Sequence, residues 1–180
     1  MLEELAHHVL DIAENGINAG ADRIFIEVDD GSEEIRITVG DNGRGMDEET
    51  VRAVTDPFYT TRKERRVGLG LPFLKQLAEL CGGTFSLNSR PGEGSQVIAS
   101  FRKDSIDTPP LGDMASSILA LLVGHSAISW RYLHRHRGRE FLLESEDLLD
   151  ALGGKDSLSD PGNAMMAREY LEGNILDLYL

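Results

Sequence analysis

The chain has 180 residues, with Lys+Arg 18 against Asp+Glu 31 and a formal net charge of -13. That length suits one domain plus an appendage, and so acidic a chain lacks the basic surface that counterion-driven binding to DNA or RNA requires. No apolar run nears the ~20 residues that span a bilayer, the start is acidic without a signal-peptide n-region, and the lone Cys81 fits a reducing compartment, so a soluble, cytoplasmic protein with no membrane partner is expected.

Leu2, Leu5, Val9, Ile12, Ala13 and Ile17 recur at three- and four-residue steps, which predicts an amphipathic helix over about 2–19, ended by Gly20. Residues 23–28 and 35–39 read as strands joined by a hairpin turn at 29–32. Asp47 is a predicted cap for a short helix, and 54–68 is irregular and basic. A second long helix is predicted over 69–80, closed by Cys81 to Gly83, then strands at 84–89 and 95–101 around the turn at Pro91 to Gly94. These elements make an α+β fold, a two-layer α/β sandwich with one helical layer on a mostly antiparallel sheet. A polar linker at 104–110 separates this first unit, 1–103, from a small C-terminal α/β module at 111–180. The module is predicted to hold a helix at about 112–123, strands at 127–133 and 140–143, and helices at 144–152 and 164–180. Tyr132, His134, Arg135, His136, Arg137 and Arg139 read as a solvated basic hairpin tip, with a grip on an acidic partner or nucleic acid as the alternative.

Asp11 and Asn15 lie four residues apart, one helical turn, on a face distinct from the Leu5, Val9, Ile12 stripe. An amide oxygen is a good hard ligand for Mg²⁺, and a carboxylate one turn earlier can orient or deprotonate an attacking water. A plain solvated helix face is the competing explanation. His7 and His8 precede the pair and are expected to be exposed, with contact to the site as the alternative. Asp41 follows a strand and opens the run to Met46, in which Gly43 and Gly45 permit a sharp turn and close approach to a ligand. A carboxylate there accepts the exocyclic N–H of adenine, which guanine does not offer. An ordinary hairpin turn competes here, weakened by the helix that follows Met46. Phe58 is expected to anchor the basic segment while Arg62 and Lys63 face phosphates, with a plain surface loop carrying a basic cluster as the competing explanation. Gly68, Leu69, Gly70 and Leu71 open a helix, whose free N–H groups attract phosphate.

In their order, the motifs at 11–20, 41–46, 56–63 and 68–71 resemble those of the GHKL ATPase superfamily. That superfamily comprises histidine kinases, anti-sigma-factor kinases, gyrase-type and mismatch-repair ATPases, and heat-shock chaperone ATPases. The likeness covers about residues 3–102 and implies the Bergerat ATP-binding fold of histidine kinase-like domains, with ATP and Mg as ligands. It implies Asn15 as the metal-binding residue, Asp11 as the base and Asp41 as the reader of adenine. It further implies nucleotide contacts from Asn18, Gly43, Gly45, Met46, Phe58, Thr61, Arg62, Lys63, Gly68, Leu69, Gly70, Leu71 and Ser95.

There are departures. ATP-hydrolysing relatives usually carry Glu at the place of Asp11, and sensor kinases Asn, so fast hydrolysis is not expected. Arg66 and Val67 stand where many relatives have Gly-Thr, which predicts a short lid that orders on nucleotide. The first strand and helix usual in the family are missing, and a partner chain or the C-terminal module is expected to cover that sheet edge. The first ten residues leave no room for a helical hairpin with a phospho-acceptor His, so a complete sensor kinase is not expected. The function implied is a stand-alone Mg-ATP-binding domain, acting on a partner protein as a regulatory protein kinase or nucleotide-dependent switch. ATP or ADP and that unidentified protein are the expected partners, and a homodimer is left open. The alternatives are a slow ATPase driving a clamp-like cycle and a nucleotide-independent adaptor.

Overall fold

Apolar alternation in the strands and the apolar stripe of the first helix meet on one face of a six-stranded sheet. The computed structural model describes residues 3–56, 58 and 70–180. In chain order the elements are α1 (Leu5–Asn18), β1 (Arg23–Asp30), β2 (Glu34–Asp41), α2 (Glu48–Thr55), α3 (Gly70–Leu80), β3 (Phe85–Arg90) and β4 (Gly94–Arg102). There follow α4 (Met114–Gly124), β5 (Ser129–His136), β6 (Arg139–Glu144), α5 (Ser145–Leu152), a 3₁₀ turn (Ser157–Ser159) and α6 (Pro161–Asp177). The strand order is β3-β4-β2-β1-β5-β6. Every pairing is antiparallel except β1 with β5. This is the expected α+β class.

The predicted open edge of β1 is covered by the chain itself. β5 runs parallel to β1 in the register Ile24 to Trp130, Ile26 to Tyr132 and Val28 to His134. The sheet therefore continues across the linker, and so does the core. Ile24, Ile26, Val28, Ile37, Val39, Val97, Ala99 and Phe101 pack beneath Leu5, Val9, Ile12, Leu74, Ile118 and Leu122 as one buried cluster. The opposite sheet face carries charge, with Arg135 paired to Glu27, and Arg131 3.2 Å from Glu144.

The linker has a structural task. The first N–H groups of a helix have no partner within it. Here Leu5 N–H donates to the Pro110 carbonyl at 3.0 Å and Ala6 N–H to the Leu111 carbonyl at 2.9 Å. Three other starts are capped by side chains: Asp47 accepts from Thr50 N–H at 2.8 Å, Asp113 from Ser116 N–H at 2.9 Å, and Asp160 from Asn163 N–H at 3.0 Å. α6 begins at Pro161, ahead of the expected 164, because proline suits the first helical position.

The basic hairpin differs from expectation. β5 extends to His136, and Tyr132 and His134 are buried at 1% and 0% exposure instead of forming a solvated tip. Alternation explains it: Trp130, Tyr132 and His134 face the core while Arg131 and Arg135 face outward. The tip itself is Arg137 and Gly138, with φ of 47° and 83°. Two left-handed residues between paired His136 and Arg139 are the signature of a type I′ hairpin.

The buried aromatic residues form a hydrogen-bonded relay. Tyr132 Oη lies 2.6 Å from His134 Nδ1, His134 Nε2 lies 2.9 Å from Tyr179 Oη, and the Tyr179 hydroxyl donates to Asp30 Oδ2 at 2.8 Å. Lys103 closes the relay with an ion pair to Asp30. One proton arrangement satisfies every member: Tyr132 donates to Nδ1, Nε2–H donates to Tyr179, and Tyr179 donates to Asp30. The relay fastens the C-terminal end of the chain to β1.

Candidate functional site

The second half of α1, the loop after β2 and the turn before β4 converge at one end of the sheet. α1 places Gly16 over Asp41. A β-carbon on Gly16 would come within 2.9 Å of Asp41 Cβ, so the bare backbone lets the carboxylate lie against the helix. Asp41 Oδ1 accepts from Gly43 N–H at 2.8 Å. Burial pushes the Asp41 carboxyl up from its ordinary value, while the Gly43 and Ser95 amides pull against it.

The loop from Asn42 to Met46 is pinned from three sides. Arg44 N–H donates to the Ala19 carbonyl at 2.9 Å, and Gly92 N–H to the Arg44 carbonyl at 2.7 Å. Met46 N–H donates to Ser89 Oγ at 2.8 Å, and Ser89 Oγ lies 2.8 Å from Ser95 Oγ. Asn42 Oδ1 accepts from Asp22 N–H at 3.0 Å and from Arg23 N–H at 2.9 Å, and its amide donates to Asp22 Oδ1 at 2.6 Å. Asn42 and Ser89 hold this loop in place, and sequence reasoning did not single them out. Asn42 had a readable signal in its place beside Asp41; Ser89 had none, because its partner lies 43 residues away.

Between these elements lies a cavity of about 570 Å³, reached by Asn15, Asn18, Asp41, Gly45, Met46 and Ser95. Its walls are apolar: Ile12, Val39, Val54, Leu71, Leu87 and Val97. A few polar groups converging in an apolar cleft of this size are typical of small-molecule sites. A second cavity of about 400 Å³ adjoins α1, where Asp11, Asn15 and Gly70 meet. A β-carbon on Gly70 would lie 3.7 Å from Asp11 Oδ2, so the start of α3 runs beside that carboxylate. Asn15 lines both cavities. A larger hollow of about 1140 Å³ spreads over the open sheet face; it shares Asp41, Met46, Leu87 and Ser95 with the cleft, and elsewhere strand side chains such as Arg23, Gln96, Arg131 and Glu144 line it.

The structure thus brings Asp11, Asn15, Asn18, Asp41, Gly45, Met46, Gly70, Leu71 and Ser95 to adjoining cavities. Gly43 lies just behind, where a β-carbon would come within 2.8 Å of Ala19 Cβ. Leu71 enters as an apolar wall, 5% exposed. Phe58 differs from its expected anchoring role: it is 88% exposed, with its N–H donating to Asp56 Oδ1 at 2.8 Å. Thr61, Arg62, Lys63, Gly68 and Leu69 lie outside the described residues, as does the basic segment expected to act as a lid. His8, expected in solvent, is 6% exposed and lines the smaller cavity.

Residues for the expected metal fit its chemistry. Asn15 is exposed, presents a hard amide oxygen where the cavities meet, and has the Asp11 carboxylate one turn away. Among the described residues no group of three or more His, Cys, Asp or Glu is placed to hold a metal unaided, which suits an ion held largely by water and substrate phosphates.

Residues 2–105, more than half of the chain, match the family described as histidine kinase-, DNA gyrase B- and HSP90-like ATPase. The chain belongs to that ATPase family. It is an ATP-binding domain similar to the catalytic domains of histidine kinases. The matched stretch contains every candidate residue from Asp11 to Ser95. Sensor histidine kinase YvrG of Bacillus subtilis is 40% identical over 73 residues, which is 38% of this chain and 13% of that protein. The CAI-1 autoinducer sensor kinase/phosphatase CqsS of Vibrio cholerae is 34% identical over 85 residues, 47% of this chain and 12% of that protein. The chain therefore matches only a small part of these curated relatives. In fold, it is similar to the crystal structure of the N-terminal domain of a DNA repair protein, with a TM-score of 0.54 at 18% identity, covering 86% of this chain and 58% of that one. Among the described residues no helix is long and apolar enough to cross a membrane.

Proposed function

We propose that this ATPase-family chain takes Mg-ATP across the two cavities and uses it as a slow regulatory switch, or as a protein kinase, on a partner protein. Asn15 carries the proposal, because its side chain is shared by the apolar cleft that holds Asp41 and by the small cavity that holds Asp11 and Gly70. A nucleotide lying that way sets its adenine against Asp41 and its phosphates toward the starts of α1's polar face and α3. When bound, the metal supplies charge neutralisation for the phosphates. The chain's own groups do the rest: Asp41 accepts from the adenine amino group, Met46 and Leu71 exclude water, and Asp11 takes a proton from the attacking nucleophile.

Asp11 favours slow turnover over a fast ATPase cycle. Its carboxylate is one methylene shorter than that of Glu, and reach governs proton transfer within a fixed site. Asp11→Glu is expected to raise ATP turnover and Asp11→Asn to lower it without loss of nucleotide affinity. Asn15→Ala is expected to weaken Mg-ATP roughly a hundredfold, about 2.7 kcal/mol, and to abolish the difference between affinity with magnesium and with EDTA. Calorimetry on the two Asp11 variants and on Asn15→Ala, alongside a turnover assay with labelled ATP, tests all three. Unchanged magnesium dependence in Asn15→Ala would remove the metal from that side chain.

A further inference from the structure

Helix α6 is apolar on two sides. Ala167 and Leu171 are buried where the helix packs on α4. On the opposite side Met165, Met166, Tyr170 and Leu176 are each between 46% and 60% exposed. At 3.6 residues per turn these four fall to either side of Gly173 on one face. A surface helix ordinarily turns polar residues away from the core, and a contiguous exposed apolar patch marks an interaction site. Gly173 is a second, independent sign. Glycine in a helix interior weakens the helix more than any residue but proline. Nothing within the fold calls for it: its backbone is helical, and among the described residues a β-carbon there would meet nothing within 4 Å. What the missing side chain leaves is bare backbone at the centre of the apolar face, against which another helix can lie close.

The charge on this face is acidic. Glu169 and Asp177 lie four residues to either side of Gly173, one helical turn each way, and both are exposed. Arg168, the one cation of α6, is held by Glu172 at 2.6 Å. Arg139 reaches the end of the helix but donates to the Asp177 main-chain carbonyl at 3.0 Å. A second copy of α6 fits the shape of this face and not its charge. Packed antiparallel about Gly173, it would set Tyr170 beside Leu176 of the second copy, and Glu169 beside Asp177 of the second copy. Packed parallel in register, it would set Glu169 beside Glu169. Like charges placed so repel and disfavour the pairing.

We propose that the exposed face of α6 docks a basic amphipathic helix of a partner protein. The apolar stripe of that helix, repeating at three- and four-residue steps, covers Met165, Met166, Tyr170 and Leu176. Its backbone comes closest at Gly173, and Lys or Arg on its flanks meet Glu169 and Asp177. The flexible thioethers of the two methionines adapt to the side chains laid on them. Tyr170 is held ready by an edge contact with Phe141, the ring centroids 5.7 Å apart. α6 lines neither cavity of the nucleotide site, so the inference stands apart from the ATP reading.

The test uses the full chain and a synthetic amphipathic helix of Leu and Lys, matched to the 17 residues of α6. The controls are a peptide of the same pattern with Glu for Lys, and a Leu/Lys peptide of shuffled pattern. By calorimetry the wild type is expected to bind the patterned Leu/Lys peptide at least about tenfold tighter than either control. Gly173→Ala keeps every charge and strengthens the helix. It is expected to raise the urea midpoint and yet to weaken the peptide about tenfold. Glu169→Lys combined with Asp177→Lys is expected to turn the preference to the Leu/Glu peptide. Equal affinity of wild type and Gly173→Ala would reduce the binding to general attraction by an acidic chain and overturn the proposal, as would a wild type that does not bind the Leu/Lys peptide. Sedimentation of the wild type as a dimer that Gly173→Ala dissociates would give this face to a second copy and overturn it too. Failure of the wild type to bind Mg-ATP, measured alongside, would overturn the nucleotide reading alone.

Discussion

Replacing Gly45 with alanine is expected to destabilise the fold by about 2–4 kcal/mol and to abolish nucleotide affinity. Gly45 has φ of 68°, in the left-handed region, where a β-carbon alone costs about 1–2 kcal/mol. That β-carbon would also drive into the Arg90 carbonyl oxygen, and it would lie 3.1 Å from the Gly94 carbonyl oxygen. Both obstacles are backbone, so neither can swing aside. The loop after β2 and the turn before β4 would have to part. Parting them breaks the Gly92 N–H bond to Arg44 and the Met46 N–H bond to Ser89, and these bonds set the mouth of the apolar cleft. Urea unfolding reads the stability and calorimetry reads the affinity. A variant that keeps both would show that this joint does not shape the site.

Acid is expected to weaken the fold from about pH 6.5 downward, before ordinary carboxylates titrate. Burial holds His134 down to about 4, whereas a histidine in the unfolded chain titrates near 6.5. The native state prefers the neutral ring. As pH falls below about 6.5, the unfolded chain takes a proton that the folded one refuses, and roughly 3 kcal/mol of stability drains away by about pH 4. Protonation would also turn Nδ1 into a second donor against the Tyr132 hydroxyl, breaking the order of the relay. Asp30 acts in the same direction at lower pH. Burial pushes its carboxyl up, but Lys103, Tyr179 and His136 outweigh that and leave it below its usual value. Its contribution is present above the unfolded carboxyl value and lost as pH falls through the folded one. Tyr179→Phe leaves His134 Nε2 and Asp30 Oδ2 short of a partner and is expected to cost about 1–3 kcal/mol. Urea midpoints measured from pH 7.5 to 4 check both statements. A flat profile across that span in the wild type would contradict the buried neutral His134.

Local patterns carried most of the fold. Alternation in β1 and β2 put Ile24, Ile26, Ile35 and Ile37 on the core face, and Asp47 announced its helix by its side-chain oxygen. The pairing of β1 with β5 joins residues over a hundred positions apart, and nothing local to either strand specifies it. Tyr132 and His134 were misplaced because the run was read by its charge. The alternation of Trp130, Tyr132 and His134 with Arg131 and Arg135 was there to be read as a strand with one buried face. His8 was misplaced for a similar reason. It lies three residues after Leu5 and four before Ile12, at the edge of the apolar stripe where it meets the face of Asp11 and Asn15. In the site, Asp11, Asn15 and Asp41 were legible because helix spacing and a glycine turn constrain them locally. The partners that shape their surroundings, Arg90 against Gly45 and Ser89 against Met46, come from distant strands and leave no mark in the motif.

The central claim is that Asp41 reads adenine in a Mg-nucleotide site built around Asn15. Calorimetric titration of the full chain with Mg-ATP and Mg-GTP, repeated on Asp41→Asn, tests it most directly. The account predicts binding of ATP at least about tenfold tighter than GTP, a difference of about 1.4 kcal/mol, and a loss of about 1–3 kcal/mol of ATP affinity in Asp41→Asn. Equal affinity for the two nucleotides, or no binding of ATP by the wild type, would contradict it.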